Sequence, residues 1–247
     1  MHAEPVFVFG STLNGQHDKG MAAVAMKHYG AQAGKGSGAA GNSYAVPVWN
    51  SEGKLLPLSV IGNYADSLFS HARKHGEQIF QVMRLGCDEG DYPDSEVAEL
   101  FRKAPGNCQL SGLWQRCHNP RATVRLVLLD PAVLLKQAVV QRLVDDYFAV
   151  NAPLWSAPIE IVSVGPAASI VANDAYARSR KYLHRIIGES REHFGTDAPV
   201  MRDLKAVWYA THLLCLSDPS STANRMQVRL ISAASRGGLS VDDISVE

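Results

Sequence analysis

Short runs of β-branched and aromatic residues alternate with segments of helical periodicity along the whole chain, and this alternation limits the fold more than any other feature. Residues 6–9 (VFVF) form a buried strand that stops at Gly10, and 20–30 form a helix ending on Gly30. Residues 43–49 make a second strand, in which Pro47 points to an edge or a strand end. Val60, Ile61, Tyr64, Leu68, Phe69 and Ala72 line one face of a helix over 58–75. A strand over 78–83 and a helix over 95–103, with Asp94 as its N-cap, follow, and a short strand falls at 108–110. After a stretch without periodicity the pattern restarts. Strands at 123–129, 159–164, 183–187, 212–216 and 244–246 are separated by helices at 134–149, 171–180, 200–209 and 223–236. Strand–helix alternation predicts parallel sheets with helices on both faces. The predicted fold class is therefore α/β, as two three-layer domains over 1–114 and 123–247 joined by a linker at 115–122.

The first strand runs through a loop of small residues, Gly10-Ser11-Thr12-Leu13-Asn14-Gly15, into a helix. Backbone N–H groups and a helix N-terminus then meet at one point, an arrangement that suits a phosphate or pyrophosphate. The same loop is equally a simple turn, since it matches neither GxGxxG nor a P-loop. A second glycine-rich stretch, 34–43, lies close by in sequence. The loop that opens at Arg84 follows a strand directly, where open α/β sheets place their ligands.

Composition narrows the partners. The 247 residues carry a formal net charge of zero, so a duplex-binding basic face is not indicated and nucleic acid is an unlikely partner. Cys87, Cys108, Cys117 and Cys215 form no CxxC pair, which fits free thiols in a reducing cytosol better than a zinc framework. The sequence calls for no metal and no cofactor. An apolar run long enough for a membrane span is lacking, and the N-terminus does not read as a signal peptide, so a cytoplasmic protein is expected.

Five pieces of the first half fall in order: VFVFGSTLNGQHDKGMAAVAMKHYGA, AGKGSGAAGNSYAVP, LPL, VMRLGCDEGDY and FRKAPGN. Together they resemble a macro-domain-like family common in bacteria and their phages. The macro domains bind ADP-ribose and its derivatives, and some hydrolyse ADP-ribosyl bonds. The second half, through EIVSVGPAASIVANDAYARSRKY and the segment from Pro199 to its end, resembles the Rossmann-like SLOG family. It departs from that family at Leu129-Asp130-Pro131 and at Val164-Gly165-Pro166, where relatives carry a Gly-Ser-Arg type loop and a double glycine. A bulky residue and a proline hinder close backbone approach to a phosphate.

The resemblance implies that Gly10, Ser11, Thr12 and Asn14 offer backbone and small polar groups to a diphosphate or ribose. Gly20 would allow close approach at the helix start, and Arg84, Gly86 and Cys87 would form the second ligand loop. Hydrolysis would need an acid near the anomeric carbon. Asp88 and Asp91 are the candidates, displaced from the family's position, while His17, Asp18 and Lys19 offer alternatives in the first loop. In the second half Gly165 and Arg202 are the ligand candidates, and this half could instead be a scaffold that makes a homo-oligomer. Two functions stay open at this point. One is a domain that binds an ADP-ribose-type or NAD-derived nucleotide, with or without hydrolysis. The other is an interaction protein whose nucleotide sites have decayed.

Overall fold

The computed structural model describes residues 4–87, 92–129, 137–151, 157–217 and 225–245. They form two units, Met1–His118 and Asn119–Glu247, each an α/β sheet flanked by helices. In the first unit the chain runs β1 (Val6–Thr12), α1 (Gly20–Tyr29), β2 (Gly38–Ala40), β3 (Ser43–Trp49), α2 (Leu58–Lys74), β4 (Phe80–Val82), α3 (Asp94–Leu100), β5 (Cys108–Gln109) and α4 (Gly112–His118). The sheet order is β2-β3-β1-β4-β5, parallel except for β2, which pairs antiparallel with β3. Because β1 is central, its VFVF run is buried on both faces, which is why it reads as continuous rather than alternating.

Pro47 lies on β3, which is not an edge strand. It is tolerated because β2 pairs only with Ser43, Tyr44 and Ala45, so Pro47 stands beyond the end of that ladder. Asp94 does not cap α3: Pro93 occupies the cap position, and the Asp94 carboxylate turns to Arg84 and Trp114. The stretch expected as a linker from 115 is helix α4 as far as His118. α4 sets the fully buried Trp114 against Phe101, with ring centroids 5.0 Å apart. Seven residues make too few turns to display a helical period, so the sequence hid this element.

The second unit runs β6 (Val124–Leu129), α5 (Gln137–Asn151), β7 (Ile159–Ser163), α6 (Ala167–Arg180), β8 (Leu183–Ile186), α7 (Arg191–Phe194), α8 (Ala198–Tyr209), β9 (His212–Ser217), α9 (Arg225–Arg236) and β10 (Ser240–Ser245). Its sheet is parallel throughout in the order β10-β9-β6-β7-β8. From β6 the chain steps outward through β7 to β8, then returns to the other side of β6 for β9 and β10. This is the strand order of a doubly wound sheet, whose reversal of direction falls between β6 and β9. Val124, Leu126, Leu128, Ile161 and Leu214 from the strands pack with Val144, Tyr147 and Tyr176 from α5 and α6. Among the described residues no helix is long and apolar enough to cross a membrane.

Candidate functional site

The loop expected to begin at Gly10 is strand as far as Thr12. Gly10 pairs with Val46 of β3, and a Cβ placed on it would lie 3.1 Å from Val48 Cγ2 and 3.2 Å from Trp49 Cζ3. The indole therefore lies against Gly10, on the side where a side chain would stand. Ser11 is buried and bonds His17 Nε2 at 2.7 Å. The Thr12 hydroxyl donates to Asn14 Oδ1 at 2.7 Å and accepts from the Gln16 N–H at 2.8 Å. Thr12 and Asn14 thus bond to each other and to their own turn. Gly20, in the left-handed region at φ 57° where α1 begins, has no heavy atom within 4 Å of its Cβ position.

His17 is only 3% exposed and meets the Phe9 ring edge-on at 5.0 Å. Its Nδ1 is buried without a hydrogen-bond partner. Burial pushes the imidazole below its ordinary 6.5, and the Gln32 backbone, which lies outside hydrogen-bonding geometry, opposes this only in part. The folded unit consequently holds His17 neutral while the unfolded chain protonates it near 6.5. Protons taken up by the unfolded state lower stability, so stability falls as pH drops through that value and levels off below the depressed folded value. His71, also lowered by burial and by His75 and Lys74, adds to the same slope. Denaturation at pH 7.5 and 5.5 is expected to show this loss, with a smaller loss in His17→Gln. An unchanged slope in that variant would remove His17 from the account.

The second glycine-rich stretch closes on the first. Gly34 N–H donates to Gly15 C=O at 2.9 Å. A Cβ on Gly15, at φ 68°, would lie 2.4 Å from Lys35 N, and one on Gly36 would lie 2.3 Å from Thr12 O. Backbone rests on backbone here, so these glycines serve loop packing.

The loop after β4 departs further from expectation. Arg84 is paired with a carboxylate of its own unit. Its Nε donates to Asp94 Oδ1 at 2.8 Å and its Nη2 to Asp94 Oδ2 at 2.5 Å, with the guanidinium side chain 9% exposed. The same Oδ1 accepts from Trp114 Nε1 at 2.7 Å. Gly86, at φ 65°, lies beside Val48, with its Cβ position 3.6 Å from Val48 Cβ. Cys87 is half-buried and its Sγ lies 3.5 Å from Leu85 O. Tyr92 closes this region by donating from its N–H to Gly86 O at 2.9 Å and from its hydroxyl to Leu56 O at 3.0 Å. Asp88 and Asp91 lie outside the described residues.

In the second unit the two ligand candidates are occupied by the protein itself. Gly165 has φ 138°, and its Cβ position lies 3.1 Å from Met226 Cε. Arg202 is 7% exposed on its side chain; it bonds Asp203 at 2.6 Å and Glu189 at 3.0 Å, and Arg229 completes the chain on Asp203. With Arg191 also on Glu189, this network of three cations and two carboxylates ties α8 to α9 and engages the Arg202 guanidinium on Asp203 and Glu189. Asp130, Pro131, Ser221 and Thr222 lie outside the described residues.

No local pattern in the sequence points to the hydrogen-bonded chain that lies beneath α6. Asn173 Nδ2 donates to Leu128 O (3.2 Å) and to Ser163 Oγ (3.1 Å). Ser163 Oγ meets His184 Nε2 at 2.9 Å, and His184 Nδ1 meets Asp174 Oδ1 at 3.1 Å. Its connectivity is that of a nucleophile triad, but its placement is not. Ser163 is 1% exposed at the end of β7, and the solvent-facing member is Asp174. The chain therefore fastens α6 to the sheet. Asn173→Ala is expected to cost about 1–2 kcal/mol by removing the two hydrogen bonds that tie α6 to Leu128 O and Ser163 Oγ. Ser163→Ala should cost less, and equal stability of Asn173→Ala and wild type in urea would contradict the fastening role.

No family model matches the chain, and no curated protein matches it. A similarity to one solved structure, a crystal structure of an N-terminal ketoreductase from a macrolactin assembly line, has 11% identity and a TM-score of 0.21. It covers 98% of this chain and 54% of that one, so the chain spans about half the length of the structure it matches.

Proposed function

We propose that the first unit binds an ADP-ribose-type or NAD-derived nucleotide at the carboxyl ends of β1, β3 and β4. The observation that carries this reading is the convergence on Val48. Gly10 of β1 lies against it from one side and Gly86, after β4, from the other. The two loops that the macro-domain resemblance implicates thus flank one residue at the end of a parallel sheet, where such sheets take ligands. The open space at Gly20, at the start of a ten-residue helix, adds a place for an anion to approach N–H groups. With Arg84 held by Asp94, phosphate contacts would come from backbone and from Asn14, and the protein would act in the cytosol.

A second reading is favoured by a specific observation: the glycines at 15 and 36 pack on each other's loops and Arg84 is committed to an internal pair. Under it the first unit is an interaction module without a nucleotide. Calorimetric titration with ADP-ribose separates the two. Saturable binding that Asn14→Glu abolishes, with fold preserved by circular dichroism, is the result expected of a nucleotide site, since Asn14 is exposed and can take the change without repacking; it would justify assaying Asp88→Asn and Asp91→Asn for ADP-ribosyl hydrolysis. Silence toward ADP-ribose, NAD and related nucleotides would leave the interaction module.

A further inference from the structure

A cavity of about 150 Å³ opens on the second unit between the end of β8 and the carboxyl half of α8. It is lined by Arg185, Ile186, Ile187, Lys205, Trp208 and Tyr209, together with Gly188. Its construction follows from the two elements. Lys205, Trp208 and Tyr209 stand at i, i+3 and i+4, so one stripe of α8 presents an ammonium beside two aromatic rings. Arg185 comes from β8, the edge strand of this sheet, and its side chain is 54% exposed.

The charged residues of the lining are cations. Glu160, 5% exposed on the neighbouring strand β7, is the carboxylate of the cluster. It accepts from Arg185 Nε at 3.1 Å and from the Tyr209 hydroxyl at 2.6 Å, and lies 3.6 Å from Arg125. Both guanidiniums also stand over the Tyr209 ring, 4.3 Å from its centroid for Arg125 and 4.9 Å for Arg185. Among the described residues Arg185 and Lys205 are the two cations that line the cavity, and Glu160 is the carboxylate that faces Arg185. The nearby Glu189 carboxylate is held by Arg202 and Arg191. The stacked arrangement fixes Arg185 at its inner end, so the guanidinium is preorganised at the cavity wall.

Part of the lining is apolar. Ile187 and Trp208 are buried, while Ile186 is 54% exposed although it sits on a sheet edge beside the cavity. A cavity of about this size has room for one benzene-sized ring. We propose that this cavity binds a one-ring aromatic anion, its ring against Trp208 and Ile187 and its carboxylate or phosphate between Arg185 and Lys205. A dinucleotide is too large for it, so the site is separate from the nucleotide reading of the first unit and does not depend on it. The pairing of an apolar wall with a few convergent polar groups is what orients a small ligand. The cation-lined side supplies charge-assisted hydrogen bonds for the anionic group.

The test titrates the full chain with benzoate and phenyl phosphate, followed by ligand-observed saturation-transfer NMR, with neutral benzamide and ring-free acetate as controls. Saturable binding of either aromatic anion, at least tenfold tighter than benzamide and acetate, is expected. Which of the two binds more tightly tells carboxylate from phosphate esters as the preferred class. Lys205 is exposed on a helix surface, so Lys205→Ala should fold normally and weaken binding by roughly tenfold, the loss of one charge-assisted contact. Lys205→Arg should restore most of it. Absence of saturable binding by both anions, equal binding of benzamide, or unchanged affinity in Lys205→Ala would each overturn the proposal.

Discussion

Asp94→Ala is expected to destabilise the first unit by about 3 kcal/mol. One carboxylate holds three elements together. Arg84 follows β4, Asp94 begins α3 and Trp114 sits on α4. Asp94 Oδ1 accepts from both Arg84 Nε and Trp114 Nε1, and Oδ2 accepts from Arg84 Nη2. Removing it takes the facing carboxylate from a guanidinium 9% exposed and the acceptor from an indole N–H on a residue with no exposure, while Arg84 Nη2 keeps the Cys87 C=O at 3.4 Å. A buried cation that loses its carboxylate costs far more than a pair that solvent can replace. Asp94 itself is 23% exposed, so water reaches part of the site and holds the cost below that of a fully interior pair. Asp94→Asn keeps one acceptor and should fall between the two. Arg84→Met removes the buried charge altogether and should be milder than Asp94→Ala, an ordering that isolates the stranded cation as the cause. Urea unfolding of the full chain measures all three, and a loss under 1 kcal/mol in Asp94→Ala would show that the pair contributes little. Retained ADP-ribose binding by folded Arg84→Met would agree with a site in which Arg84 holds the loop and does not touch the ligand.

Gly36→Ala is expected to be of similar size, about 3 kcal/mol or more, for a steric reason. The methyl group would lie 2.3 Å from Thr12 O and 2.4 Å from Leu13 O, and neither backbone oxygen can swing aside as a side-chain tip could. Gly15→Ala meets the same wall from the other side, 2.4 Å from Lys35 N, and adds a left-handed φ of 68°. Gly34→Ala is the internal control. It has open space around its Cβ position and only the strain of φ 81° to bear, so its cost should be about 1 kcal/mol. If Gly36→Ala and Gly34→Ala prove equal in thermal unfolding, loop-on-loop packing is not what the glycines provide. Gly36→Ala should also weaken any ligand bound near Thr12 and Asn14, because the loop can admit the methyl group only by moving those residues.

Fold class was legible in the sequence because it depends on local periodicity. The VFVF run, the glycine that ends α1 in the left-handed conformation and the apolar face of α2 are short-range signals, and each lies where the periodicity put it. Strand ends were less legible: a run of Gly-Ser-Thr reads as loop, yet β1 continues through it because β3 offers a ladder partner for each of these residues. α4 was lost for want of length.

What residues do at the candidate site depended on partners far away in sequence. Ser11, Thr12 and Asn14 are small polar groups of the kind that suit a ligand, but Ser11 bonds His17 and the other two bond each other. Arg84 and Arg202 have the composition of phosphate contacts, and composition does not reveal that Asp94, Asp203 and Glu189 reach them first. The Ser163–His184–Asp174 chain and the cation-lined cavity draw residues from different elements, so no local pattern announces either. The sequence by itself determined the alternation of strands and helices, hence an α/β protein, since backbone propensity and hydrophobic period act within a few residues. Only the tertiary structure decided which charges are spent on one another and which still face open space, because hydrogen bonds and ion pairs are settled by distances that folding alone creates.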